Sequence, residues 1–132
     1  LDASVTLSWH FEDERGPESL DVLRLVTGGG AVVPAHWQLE VANGLVMATR
    51  RGRLAADRRR RVLLSLAMLP ISSEAALADG ALMATVDLAE RHRLTVYDAA
   101  YLELATRRAL PLATLDKQLA DAGRRSGLAV LP

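Results

Sequence analysis

Sixteen acidic residues are spread along the chain, and most have an evident job. Asp57 precedes Arg61 by four, as Asp87 does Arg91, Glu103 does Arg107 and Asp121 does Arg125. Each reads as a solvent-facing helical ion pair. Glu12, Asp13 and Glu14 make a polar loop, while Glu18 and Asp21 suit a first helical turn. Four others call for a different account. Asp98 shares a helical stripe with Tyr101, Leu102 and Ala105, the side expected to face the core, with Glu103 and Arg107 on the watery side. Its rival role is a capping box with Thr95. Glu40 and Asn43 form a narrow polar strip on a helix that is otherwise apolar from Trp37 and Leu39 to Met47 and Ala48. Asp2 and Asp116 follow strand-like runs, in Leu1-Asp2-Ala3-Ser4 and Ala113-Thr114-Leu115-Asp116. Ligands of open parallel sheets bind beyond such strand ends, although either residue also suits an N-cap or a turn.

Four carboxylates brought to one end of a sheet repel one another unless a divalent cation neutralises them. Oxygen donors without cysteine, and without paired histidines, suit hard Mg²⁺ or Mn²⁺. Such ions activate water and stabilise charge in phosphodiester hydrolysis. His10, His36 and His92 carry no partner pattern, and His10 beside Trp9 reads as a packing residue. The lack of cysteine excludes disulfides, thiolate metal sites and a cysteine nucleophile.

The elements that must position these acids follow from hydrophobic patterning. The 132 residues, 50% of them hydrophobic, suit one domain with one core. Short apolar runs alternate with long helical patterns, which predicts an α/β fold with a mostly parallel sheet of about five strands. Strands are expected in a segment ending at Asp2 and over 31–34, 69–72, 111–115 and 128–131. The chain opens on Leu1 instead of methionine, so more of that first strand is expected upstream. Pro17 opens a helix with a core stripe of Leu20, Leu23 and Thr27, stopped by Gly28-Gly29-Gly30. Further helices are expected over 36–51, 54–67, 74–92, 96–108 and 117–125. No apolar run reaches the roughly 18 residues of a membrane span, and a cytoplasmic protein is expected. Net charge is zero, so bulk charge does not advertise a nucleic-acid partner. All basic residues but Lys117 are arginine, several in clusters that read first as solvated helix faces.

These segments also resemble a known family. Leu1-Asp2-Ala3-Ser4 with Trp9 is similar to the opening of a PIN domain of the VapC type. Pro34 through Glu40-Val41-Ala42-Asn43-Gly44-Leu45 to Arg51-Gly52-Arg53-Leu54 resembles its second motif. Tyr97-Asp98-Ala99-Ala100-Tyr101-Leu102-Glu103-Leu104-Ala105 resembles its third, and Leu112-Ala113-Thr114-Leu115-Asp116 its fourth. The resemblance runs end to end, in order. It implies a three-layer α/β/α fold over the whole chain, 1–132, and a Mg²⁺-dependent endoribonuclease that is the toxin of a toxin–antitoxin pair. The family's acids fall on Asp2, Glu40, Asp98 and Asp116 as metal ligands, and its polar helpers on Ser4, Asn43 and Thr114. RNA as substrate, a cognate antitoxin and a homodimer are implied with it. The rivals are a housekeeping RNA-processing nuclease, a PIN-like interaction module without catalysis, and a phosphoryl-transfer receiver domain. The last would want paired acids after the first strand, where Asp2 stands alone.

Overall fold

The computed structural model describes residues 1–74 and 80–132. Two pairs of short parallel strands form its middle layer. β1 (Ala31–Pro34) pairs with β2 (Ile71–Glu74), and β3 (Leu112–Ala113) with β4 (Val130–Leu131). Parallel neighbours cannot be joined by a tight hairpin, so helices carry the chain between them. Leu1 and Asp2 run between the pairs: the Leu1 amine donates to Val32 O at 3.4 Å and Asp2 N to Ala113 O at 2.8 Å. The expected α/β architecture is therefore present. Its sheet is two parallel pairs bridged by two residues, in place of five full strands among the described residues.

Seven helices are described: α1 (Ala3–Ser8), α2 (Pro17–Gly29), α3 (Trp37–Arg50), α4 (Ala56–Leu66), α5 (Ala81–His92), α6 (Val96–Arg108) and α7 (Lys117–Arg125). α1 was not expected. Six residues are too few to show a helical period, and β-branched Val5 and Thr6 have low helix propensity. It lies close against α3 because Gly44 has no side chain: a Cβ there would stand 2.5 Å from Leu7 Cδ1. Pro17 opens α2 as expected, but the buried stripe is Ser19, Val22 and Val26. Thr27 is exposed and Leu20 and Leu23 are half-buried, a register error of one residue. Gly30 turns the chain into β1 with φ 81°, where a Cβ would meet Pro70 O at 2.9 Å. Only glycine fits. Strand β2 begins two residues later than expected, after Pro70, and takes in Glu74. The helix expected over 74–92 is therefore shorter. It is described from Ala81, and its residues 75–79 lie outside the described residues.

Val5, Val33, Val41, Leu45, Leu102, Leu112 and Leu119 fill the core around α6, which is buried along the whole run from Ala99 to Ala105. That run includes Glu103, at 5% exposure, so Glu103 is not on the watery side assigned to it, although Arg107 is. Arg107 explains how a carboxylate can be there. Its Nε donates to Glu103 Oε1 at 2.7 Å, and its other guanidinium nitrogens reach Glu74 at 3.1 and 3.2 Å. No helix among the described residues is long and apolar enough to cross a membrane.

Candidate active site

The elements that carry the four singled-out acids pack in pairs: α1 lies on α3, and α6 on β1 and on α7. Asp2 is buried at 7% exposure, just before α1. A buried carboxylate needs partners, and two hydroxyls supply them. Ser4 Oγ donates to Asp2 Oδ2 at 2.5 Å and Thr114 Oγ1 to the same oxygen at 2.7 Å. A hydroxyl that spends its proton on a carboxylate still has lone pairs free. Both use one to hold the loop before α7: Ser4 Oγ accepts from Leu115 N at 3.0 Å and Thr114 Oγ1 from Asp116 N at 3.0 Å. Asp2 and Asp116 are thus tied together through Thr114.

Glu40 sits one turn into α3, and the buried Tyr101 hydroxyl donates to its Oε2. His36, one turn earlier, brings Nε2 to 3.7 Å from that same oxygen. Its ring stands edge-on to both Tyr97 and Tyr101, with centroids 5.5 and 5.2 Å away. Burial pushes the Glu40 carboxyl above the usual carboxylate range. The Tyr101 hydrogen bond and His36 pull it back, and the negative charges of Asp2 and Asp98 push it up again. Burial, with the Glu40 carboxylate as acceptor, holds the Tyr101 hydroxyl firmly protonated. Asp2 and Asp98 are therefore each within electrostatic reach of Glu40.

Asp98 and Asp116 both fill the cap roles that the sequence left open. Thr95 caps α6 by accepting from Asp98 N at 3.1 Å, and its hydroxyl donates to Asp98 Oδ2 at 2.6 Å. Asp116 caps α7, its Oδ1 accepting from Leu119 N at 2.7 Å. Asp98 is half-buried at the edge of the site, outside the core stripe expected for it. Asn43 is exposed and makes no hydrogen bond to the four acids among the described residues.

One pattern is common to all four acids. Among the described residues, each takes its protein hydrogen bonds on a single oxygen: Oδ2 of Asp2, Oε2 of Glu40, Oδ2 of Asp98 and Oδ1 of Asp116. The second oxygen of each is free to meet another ligand. This donor set fits a hard divalent cation, with hydroxyls behind the carboxylates to fix their orientation. Among the described residues, however, no three Asp, Glu, His or Cys side chains are grouped tightly enough to hold a metal ion.

The sequence had not marked His36 or Tyr101 as belonging to the site. The spacing of His36 and Glu40, four residues apart on one helix, was the available signal. Tyr101 looked like plain core, and its hydroxyl partner is 61 residues away in the chain.

The family model described as the PIN domain matches residues 1–125. The chain belongs to the PIN-domain family. A curated relative, the Ribonuclease VapC3 of Pyrobaculum aerophilum, is 41% identical over 86 residues, covering 62% of this chain and 63% of that protein. The match thus spans somewhat less than two thirds of the relative's length. The crystal structure of PAE2754, also from Pyrobaculum aerophilum, superposes with a TM-score of 0.72 at 21% identity, covering 98% of this chain and 85% of that one. At that identity it speaks for the fold alone.

Proposed function

We propose that this PIN domain is a Mg²⁺-dependent endoribonuclease, with Mn²⁺ able to substitute, acting as the toxin of a toxin–antitoxin pair. The observation that carries the reading is the shared pattern of the acids: Asp2, Glu40, Asp98 and Asp116 each keep one oxygen pinned and one free. The relative named as a ribonuclease supports RNA as the substrate. Those free oxygens would hold the cation, which would supply neutralising charge at the scissile phosphate and activate a water for attack. The chain's own work is orientation. Ser4 and Thr114 fix Asp2, Tyr101 fixes Glu40 and Thr95 fixes Asp98, so the acids keep their directions as charge builds on the phosphate. Its partners on this reading are RNA, a second copy of the chain and a cognate antitoxin. The antitoxin silences the site by placing an arginine or lysine among the acids.

Asp98→Asn tests the reading. Asparagine keeps the oxygen that accepts from Thr95 Oγ1, so the cap and the fold survive while the charge is lost. Mg²⁺-dependent cleavage of single-stranded RNA is expected to fall at least a hundredfold with the melting temperature nearly unchanged. Asp57→Asn, which removes an exposed helical pair with Arg61, is the control and stays active. An Asp98→Asn protein that cuts RNA at the wild-type rate would overturn the site. A wild-type protein that cuts no RNA, freed of any partner and supplied with Mg²⁺, would favour a non-catalytic interaction module.

A further inference from the structure

The chain has two tryptophans, two tyrosines and one phenylalanine. Trp9, Phe11, Trp37 and Tyr101 are buried. Tyr97 is 64% exposed, directly before Asp98, with the His36 ring edge-on at 5.5 Å. Burial explains the other four aromatic residues and leaves this one unexplained. It stands at the rim of a cavity of about 290 Å³, whose described lining includes His36, Val96, Tyr97, Ala100, Glu103 and Arg107. His36 belongs to both places, since its other neighbour is Glu40 at 3.7 Å. The cavity therefore opens beside the acids, walled mostly by apolar side chains.

We infer that Tyr97 and the cavity behind it receive an unpaired nucleobase of single-stranded RNA, that of a nucleotide flanking the phosphate held by the acids. This rests on the ribonuclease reading and adds how its substrate is held. A base extruded from single-stranded RNA needs an aromatic face to stack on and an edge to hydrogen-bond. Tyr97 offers the face. The edge would meet Glu74 and Glu103, whose oxygens accept from Arg107 and keep lone pairs to spare. Carboxylates accept and do not donate, so an edge that presents an amino group fits the wall better than uracil does. Tyr97 also follows Val96 at the very start of α6, so the helix that positions Asp98 positions the stacking face as well.

The experiment crosses two perturbations. Cleavage of a defined RNA is mapped, and that RNA is remade with an abasic residue on one side or the other of the cut. Wild-type protein, Tyr97→Ala and Tyr97→Phe are compared by kcat/KM, with melting temperature as the folding control. The expected result is a loss of about tenfold for Tyr97→Ala on intact RNA, the size of one stacked base. A loss of similar size is expected for wild type on one of the abasic RNAs, with no further loss when the two are combined. Tyr97→Phe keeps the ring and stays within about twofold of wild type. Independent, multiplying losses would overturn the inference and leave the nuclease intact. So would a Tyr97→Ala protein as active as wild type, in which case the exposed ring serves some other occupant, such as a protein partner. A wild-type protein that cuts no RNA overturns the ribonuclease reading and this inference with it.

Discussion

Asp116 is the acid whose two possible jobs can be measured apart. It is exposed, its Oδ1 accepts from Leu119 N at 2.7 Å at the start of α7, and its Oδ2 takes no hydrogen bond among the described residues. Asp116→Ala removes both oxygens, whereas Asp116→Asn keeps an acceptor for the cap and loses the charge. Losing an N-cap costs about 1 kcal/mol. With an unfolding entropy of roughly 2.1 cal/mol/K per residue, that lowers the melting temperature of a chain this long by about 3–4 °C. The Asn variant keeps the cap and forfeits only the charge–dipole attraction, about half as much. Binding of Mg²⁺ at a hundredfold excess over its dissociation constant stabilises a folded protein by about 2.7 kcal/mol, on the order of 10 °C here. Thermal melts of the three proteins in chelator and in Mg²⁺ decide the matter. If Oδ2 is a ligand, wild type gains the full shift and both variants gain little, while only Ala is markedly less stable in chelator. Equal Mg²⁺ shifts in all three proteins would refute the reasoning: Asp116 would then be a cap and nothing more.

Thr114→Val keeps the shape and removes the hydroxyl that donates to buried Asp2 and accepts from Asp116 N. It should cost about 2 kcal/mol in denaturant unfolding and lower RNA cleavage with it, while an unchanged midpoint would mean that the relay is not formed. Glu40 has its carboxyl pushed up, first by burial, and a raised carboxyl contributes stability below its ordinary range that is lost as pH rises through the raised value. In chelator, Glu40→Gln should therefore melt higher than wild type at pH 7, and the gap should close as pH falls and wild type becomes protonated; a gap that does not change with pH would contradict this. Glu103→Gln leaves Arg107 with Glu74 as its remaining carboxylate partner among the described residues. Because Glu103 is buried, a loss of about 1–2 kcal/mol is expected, and a silent substitution would return Glu103 to the surface.

The parts of the fold that were legible in the sequence are those written in local pattern. Pro17 and the glycines at 28–30 bound α2, and the helices after it, apart from the start of α5, were found within two residues because each carries several turns of periodic apolar residues. Periodicity failed where an element is short or where burial is set by distant chain. α1 has too few residues to repeat, and α2 was turned by one position because its leucines flank the buried valines. Glu103 was misplaced for a related reason. An acid four residues before an arginine looks the same in sequence whether the pair lies in water or beneath a third partner, and that partner, Glu74, lies 33 residues away from Arg107.

The site was legible as a set of acids and not as an arrangement, and the cause lies in the hydroxyls. Treated one at a time, Asp98 and Asp116 each seemed to be either a helix cap or a ligand, as though one role excluded the other. A carboxylate has two oxygens, and a cap uses one. Thr95 and Leu119 N each take one oxygen of their acid, and in doing so they fix the direction of the other. A free side chain would give up rotamer freedom to bind a cation, at a cost of several tenths of a kcal/mol or more. An acid already held by a cap has largely given that up when the protein folds. Ser4 and Thr114 do the same for Asp2, and Tyr101 for Glu40. On the proposed function, capping and hydroxyl bonds alike hold the acids ready for a shared cation, so the ordinary role of Asp98 and Asp116 does not compete with the functional one.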